Sequence, residues 1–178
     1  DSERAYLTFL TAYQDDPGNE EAVAELAKMA ATLGRFPELL TECMAAAAQV
    51  TPPDKQAAMY VTMSTWYQEQ VGDSAAAEQA LEAALAADPA HPVAVRALVA
   101  AYRLRGAPAR AAACLSAAGG ASRDAERRVG YSMDAAEVFR TQLGDLVGAC
   151  ELYRRVLETD ASNRPAAEAL AEIVWERK

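Results

Sequence analysis

The chain carries few side chains of the kinds that do chemistry. Its single histidine, His91, lies between Ala90 and Pro92 with no cysteine or second histidine near it in sequence. A protein zinc site needs several such ligands at short, regular spacing. A polar residue directly before a helix that starts with proline is instead well placed to cap that helix. We therefore predict a capping role for His91 and no metal site.

The three cysteines, Cys43, Cys114 and Cys150, are odd in number and far apart, and no C-x-x-C motif is present. This pattern favours neither a closed disulfide framework nor a cysteine-rich zinc site. We interpret them as reduced thiols, with Cys43 and Cys114 acting as small apolar side chains of the core. Reduced cysteines are typical of the cytoplasm, so a cytoplasmic location is expected.

Carboxylates are plentiful but do not form a catalytic pattern. Pairs such as Glu78 and Glu82 are predicted to lie on an outer helical face, where solvation explains them, whereas general acid catalysis needs a buried carboxyl group. The chain has no glycine-rich phosphate loop and neither a G-x-S-x-G nor an H-E-x-x-H motif. The sequence therefore predicts a protein that is not an enzyme and needs no cofactor.

Charge and hydropathy narrow the classes of partner. The formal net charge is −9 at pH 7, which works against nucleic acid and anionic membrane surfaces as main partners. No run of 18 uncharged apolar residues is present, so membrane insertion is not expected. A protein or peptide partner is the class that remains.

The elements that position these residues are predicted to be helices. Hydrophobic residues make up 52% of the chain and alanine dominates them, so small side chains let helices approach closely. In the stretch 72–89, Ala77, Leu81 and Ala84 recur at the spacing of one helical face between a glycine turn and a proline stop. The same pattern of apolar spacing, applied along the whole chain, predicts ten helices and no strand. It predicts one helix over 54–71, and another that ends at Gly119 and Gly120 because each glycine costs about 1 kcal/mol inside a helix.

An internal repeat organises these helices. Three sets of identical residues each recur at intervals of 72 positions: Asp16, Asp88 and Asp160; Ala22, Ala94 and Ala166; Leu26, Leu98 and Leu170. This period holds four helices and therefore two helix-turn-helix units, one of about 34 and one of about 38 residues, and a length of about 34 residues is typical of helical-repeat proteins.

At these positions the chain resembles the tetratricopeptide repeat (TPR) family. The unit from Pro92 carries its pattern at Val95, Leu98, Val99, Tyr102, Gly106, Ala111, Leu115 and Ala118. The unit ending at Pro89 matches when one residue is inserted before Gly72. The unit ending at Asp160 has Ala161 where the family has proline, and the first full unit has Ala30 in the tyrosine position.

The resemblance implies an all-α fold, a right-handed α-solenoid of about ten helices in antiparallel pairs forming a TPR-like superhelix. A single domain over 1–178 is expected. Its predicted parts are a half unit 1–18, full units 19–53, 54–89, 90–121 and 122–161, and a half unit 162–178. The chain starts at Asp1 instead of methionine, and we expect it to be part of a longer protein.

In this family the first helices of successive units line a concave groove, so the resemblance implies that partner contacts lie there. The corresponding positions are Lys28, Val61, Thr65, Gln68, Arg96, Arg103, Met133, Glu137, Arg140, Glu168, Glu172 and Trp175. The alternative is that these side chains form only a solvated face. Ala24, Lys28, Val61 and Thr65 do not match the set with which one subgroup binds a chaperone's terminal carboxylate, so that role is disfavoured.

Within this set, three arginines are predicted to converge. Arg96 and Arg103 lie two turns apart on one first helix, and Arg140 occupies the matching face of the next. An acidic partner segment is the hypothesis that this motivates, with Trp175 and Met133 as apolar contacts. The alternative is that the arginines pair with acidic residues such as Glu137 and serve only solubility.

Two classes of function follow. The favoured one is a protein–protein interaction scaffold that binds a peptide or helical segment of a partner in the concave groove. The alternative is a structural spacer or self-assembly module with no groove ligand. In that case the half-repeat ends, where Phe9, Leu170 and Val174 lack a neighbouring repeat, are expected to associate between molecules.

Overall fold

A computed structural model describes residues 2–16 and 19–176, and all regular elements in these ranges are helical. The helices are α1 (Ser2–Asp15), α2 (Glu20–Leu33), α3 (Phe36–Ala47), α4 (Pro53–Trp66), α5 (Ser74–Ala87), α6 (Pro92–Leu104), α7 (Pro108–Ala121), α8 (Ala125–Thr141), α9 (Leu146–Thr159) and α10 (Arg164–Glu176). The all-α prediction is confirmed. Pro17 and Gly18 of the predicted first turn lie outside the described residues.

Several consecutive helices pack as antiparallel pairs. The most extensive packing is between α4 and α5, α7 and α8, and α8 and α9. Only residues 122–124 separate α7 from α8, and only 142–145 separate α8 from α9. Such short links between packed helices require them to run antiparallel. The predicted fold of antiparallel helix pairs is therefore confirmed, while the right-handed superhelical course stays a prediction.

The chain divides into two compact units, Asp1–Ala94 and Val95–Lys178. The core of the first unit contains Tyr13, whose ring centroid lies 5.4 Å from that of Trp66 and whose hydroxyl donates to the Met59 carbonyl at 3.2 Å. In the second unit, Leu98 and Tyr153 are each 1% exposed. Each unit thus buries an apolar core of its own.

The helix caps follow the internal period of the sequence. Asn19, His91 and Asn163 each accept a hydrogen bond from the backbone N–H three positions later, at 3.0, 3.4 and 3.1 Å. Asp73 and Asp145, which are related by the same period, cap α5 and α9 with their side chains. Such caps satisfy N–H groups that the first helical turn leaves free. The capping role predicted for His91 is confirmed.

The helix predicted over 54–71 is present, and its last turn is π-helical instead of α-helical. A π-helical turn, Tyr67–Val71, follows α4 and ends at Gly72, whose φ of +75° is a left-handed conformation that glycine adopts without steric cost. The N–H of Asp73 closes it by donating to the Tyr67 carbonyl at 2.9 Å. A π turn holds one residue more than an α turn. It therefore accommodates the residue that the family pattern had to insert before Gly72.

The predicted end of α7 at the glycine pair is also wrong, because the helix continues through Gly119 and Gly120 to Ala121. Gly119 is buried, and α7 packs on α8. A Cβ atom at this position would lie 2.9 Å from the Ser132 side-chain oxygen. Glycine at 119 therefore allows the two helices to approach closely, and this tertiary contact outweighs the low helix propensity.

In α1 and α10 the buried face differs slightly from the one that the sequence predicts. In α1, Tyr6, Leu10 and Tyr13 are buried and Phe9 is half-buried. In α10, Ile173 is buried, while the predicted face is half-buried at Leu170 and exposed at Val174. Both helices therefore carry more apolar surface than their own unit covers.

Candidate functional site

The positions predicted to contact a partner lie mostly at the surface. Nine of them are exposed: Lys28, Thr65, Gln68, Arg96, Arg103, Glu137, Glu168, Glu172 and Trp175. Val61, Met133 and Arg140 are half-buried. In the first unit, Lys28 makes an exposed ion pair with Glu25 at 3.2 Å. Exposed pairs of this kind contribute little to stability and leave the side chain free to rearrange.

Arg140 lies in a polar network that joins three helices of the second unit. Its guanidinium donates to both carboxylate oxygens of Glu137, at 3.1 and 3.2 Å, and forms an ion pair with Glu172 at 3.6 Å. The Tyr153 hydroxyl donates to Glu137 Oε2 at 3.1 Å. Hydrogen bonding to Glu137 raises the pKa of Arg140, and burial together with the nearby Glu137 charge raises the pKa of Tyr153. Arg140 thus has the acidic pairing that the sequence offered as its alternative role.

Arg96 and Arg103 differ from Arg140 in their surroundings. Both are exposed on α6, and their seven-residue separation places them about 10 Å apart along one helical face. Within the described ranges, neither guanidinium makes an ion pair. Arg103 lies in the last turn of α6, where the helix dipole favours a cation. The face of α6 therefore presents two positive charges that no carboxylate of the described residues neutralises.

The exposed face of α10 combines charge with one large apolar side chain. Glu168 pairs with Arg164 at 2.6 Å across one helical turn. Trp175 is 78% exposed, and tryptophan is enriched at protein interfaces because its ring is apolar and its N–H can donate a hydrogen bond. This residue is the largest uncovered apolar group among the predicted contact positions.

The three cysteine thiols lie within or beside the core. Cys43 and Cys150 are buried, Cys114 is half-buried, and all three are free thiols. Burial, with a smaller contribution from Glu42, raises the pKa of the Cys43 thiol to about 12. Burial also raises the pKa of Cys114. Because the thiolate is the reactive form, these two thiols are poor nucleophiles at neutral pH, in agreement with the predicted core role of Cys43 and Cys114.

The predicted outer position of Glu78 is wrong, since this residue is only 8% exposed whereas Glu82 is exposed. The buried stripe of α5 is wide enough to include both Ala77 and Glu78. Across the described part of the chain, the acidic, histidine and cysteine side chains form no group of three or more that could hold a metal ion. No helix in the same ranges is long and apolar enough to cross a membrane.

Sequence reasoning missed an open cavity of about 320 Å³ in the second unit, between α7, α8 and α9. Its polar lining consists of Ser116, Arg128, Ser132, Arg155, Glu158 and Thr159. Leu152 and Val156 supply the apolar part, and Gly119 and Gly120 supply bare backbone. The one sequence signal for it is the glycine pair inside an otherwise helical segment, which on propensity alone indicates a helix end.

Comparison with known proteins gives structural similarities only. The crystal structure of MamA is 17% identical to the chain, over 90% of each chain, with a TM-score of 0.46. That of TTC0263, a thermophilic TPR protein in Thermus thermophilus, is 20% identical over 98% of this chain and 91% of its own, with a TM-score of 0.41. No family model matches the sequence, and no curated protein matches it. The repeat architecture therefore rests on the chain's own helix pairs, caps and internal period.

Proposed function

We propose that the protein is a protein–protein interaction scaffold and that the exposed face of α6 binds an acidic segment of its partner. The observation that carries this proposal is the pair Arg96 and Arg103, exposed and without an ion pair to any described carboxylate in a chain of net charge −9. Arginine binds carboxylates through paired, charge-assisted hydrogen bonds. Two such groups about 10 Å apart match a peptide in the polyproline II conformation, in which acidic side chains three residues apart lie about 9 Å apart on the same face.

The surrounding charge supports selectivity for such a segment. Most of the surface repels an acidic peptide, so a local reversal of sign favours one orientation of approach over others. Arg140 is already satisfied by Glu137 and Glu172. We therefore assign direct recognition to Arg96 and Arg103, with Arg140 a secondary contact that has to exchange partners. Met133 and Trp175 are the apolar contacts of the same proposal.

The test compares two double variants with the same change in charge. Arg96→Glu/Arg103→Glu reverses the proposed site, and Arg123→Glu/Arg127→Glu reverses two other exposed arginines of the second unit. Partners are captured from the source cell with the full-length protein, and each is then titrated against the three forms. A genuine partner loses more than about 1 kcal/mol of binding free energy with the first variant and much less with the second.

Three controls decide the outcome. Helical content is expected to stay the same in both variants, because exposed charges contribute little to folding. Binding is expected to weaken as salt rises, because the attraction is electrostatic. If partners bind equally to the wild type and to Arg96→Glu/Arg103→Glu, α6 is not the recognition surface and the structural-spacer alternative gains weight.

A further inference from the structure

We propose that the cavity between α7, α8 and α9 is a binding site for a small monocarboxylate with a short aliphatic chain. Its volume of about 320 Å³ lies at the lower end of the range for small-molecule sites. The cavity belongs wholly to the second unit and does not include Arg96 or Arg103. It is therefore independent of the partner-binding surface proposed above.

The first argument is that Gly120 has no packing reason to be glycine. At Gly119 an added Cβ would meet Ser132, but at Gly120 it would meet nothing within 4 Å. Gly120 lies in the last turn of α7, which ends at Ala121, and glycine favours helix less than alanine does. Gly130 shares this property, but of the two only Gly120 lines the cavity. Here the missing side chain keeps the cavity open.

The second argument is that polar groups around the cavity have unused hydrogen-bonding capacity. The Ser116 side-chain oxygen is buried and has no partner among the described residues. Arg128 uses two of its donors on the Ser122 carbonyl, at 3.0 and 3.2 Å, and a guanidinium has five. Arg155 makes no ion pair with any described residue. The guanidinium groups of Arg128 and Arg155 match the acceptor-only oxygens of a carboxylate.

The charge of the lining selects the kind of anion. Arg128 and Arg155 contribute two positive charges and Glu158 contributes one negative charge, so the net charge of the cavity wall is about +1. A monoanion is neutralised by this wall, whereas a phosphate dianion would be left with uncompensated charge beside Glu158. Leu152 and Val156 give the remaining wall an apolar character that suits a short hydrocarbon chain.

The test is a titration of the whole ¹⁵N-labelled chain with pentanoate, followed by NMR. The amides of Gly119 and Gly120 report on the cavity, and pentanamide is the neutral control of the same shape. Saturable shifts of both amides with pentanoate, and none with pentanamide, are the expected result. Equal shifts with the two probes, or none with pentanoate, would overturn the proposal.

Matched variants show whether the cavity itself is responsible. Arg155→Gln is expected to weaken pentanoate binding roughly tenfold through the loss of charge-assisted hydrogen bonds. The exposed neighbour Arg154, outside the cavity, supplies the control Arg154→Gln, for which binding stays within about twofold. Equal binding by Arg155→Gln and the wild type would refute the proposed site. Inorganic phosphate that binds more tightly than pentanoate, with the same Arg155 dependence, would overturn the carboxylate assignment.

Filling the cavity gives an independent readout. Gly120→Leu places a side chain where no atom lies and improves helix propensity, so the variant is expected to fold with an unchanged or higher Tm while pentanoate binding is lost. Gly130→Leu, on an exposed part of α8 that is equally open, is the control that keeps binding. Full binding by a folded Gly120→Leu would contradict the site.

Discussion

His91 occupies an N-cap position that asparagine holds at the two equivalent points of the repeat, Asn19 and Asn163. Its Nδ1 atom accepts the Ala94 N–H at 3.4 Å, which only the neutral ring can do. Burial lowers the pKa of His91 below its usual value of 6.5, and the nearby Asp88 only partly opposes this. Burial and the cap therefore both favour the neutral form.

This arrangement predicts a pH dependence of stability. The unfolded chain binds a proton on His91 at higher pH than the folded one, so stability is complete above about pH 6.5 and falls as pH decreases through the lowered folded pKa. His91→Asn restores the residue of the equivalent caps, and its side chain does not titrate. We expect the denaturation midpoint of the wild type to decrease more than that of His91→Asn between pH 8 and pH 5.

Carboxylates also titrate near pH 5, but they are the same in both proteins and cancel in the difference. The loss in the wild type is expected to approach the value of one cap, about 1 kcal/mol. Parallel midpoints for the two proteins at every pH would show that the His91 contact does not contribute to stability.

Leu98 tests the apolar side of the repeat, since it is one of the three leucines that recur with the internal period and is 1% exposed. Leu98→Ala is expected to lower the free energy of unfolding by about 2–5 kcal/mol, as core truncations do. Val93, on the same helix but 40% exposed, supplies the control Val93→Ala, expected to change stability by less than about 0.5 kcal/mol. Urea denaturation of both variants measures the difference, and similar losses would contradict the assignment of Leu98 to the core.

At the scale of elements, the π-helical turn Tyr67–Val71 explains how a unit with one extra residue fits the family pattern. The turn absorbs that residue locally, so the helices on either side keep their faces. Deleting the exposed Gln70 is therefore expected to convert the turn to regular α-helix with a change in stability of less than about 1 kcal/mol. Circular dichroism and thermal unfolding measure it.

The control is a deletion inside a regular helix. Removing Gln79 from α5 rotates Leu81 and Ala84 by about 100° away from the core. This variant is expected to lose at least about 2–5 kcal/mol. If both deletions destabilise the protein equally, the π turn is not an accommodated insertion.

The features that could be predicted from the sequence are those that depend on residues close together in the chain. Helices, and a cap such as His91, depend on residues within one or two turns, so local patterns are enough to predict them. The course of α7 through Gly119 depends on Ser132, which is distant in sequence, so propensity alone gives the wrong helix end. The buried stripe of α5 is wider than its apolar residues indicate and includes Glu78, so helical periodicity alone places this residue outside.

The same distinction between local and long-range contacts applies to the candidate sites. Exposure of Arg96 and Arg103 follows from helical periodicity and could be predicted. Arg140 pairs with Glu137 within one turn of one helix, so the sequence offers this pairing as an alternative. The contact of Arg140 with Glu172 joins two helices, and a local pattern does not predict it. The cavity beside Gly120 needs the distances between three helices, which no sequence pattern contains.

At the scale of the whole molecule, the two classes of function differ in the sign of their salt dependence. Binding of an acidic segment by Arg96 and Arg103 weakens as salt screens the attraction. Self-association through α10, where Val174 and Trp175 are 47% and 78% exposed, is apolar and opposed by the repulsion between chains of net charge −9. Salt screens that repulsion, so self-association is expected to strengthen.

The self-assembly alternative therefore predicts that the weight-average molar mass of the chain, measured by light scattering, rises with protein concentration and rises further when salt is added. Val174→Lys/Trp175→Lys is expected to remove this dependence, because it replaces the exposed apolar surface with charge, while Arg96→Glu/Arg103→Glu leaves it in place. A molar mass that stays at the monomer value under all conditions would exclude self-assembly through α10. That result would favour partner binding through α6 over the self-assembly alternative.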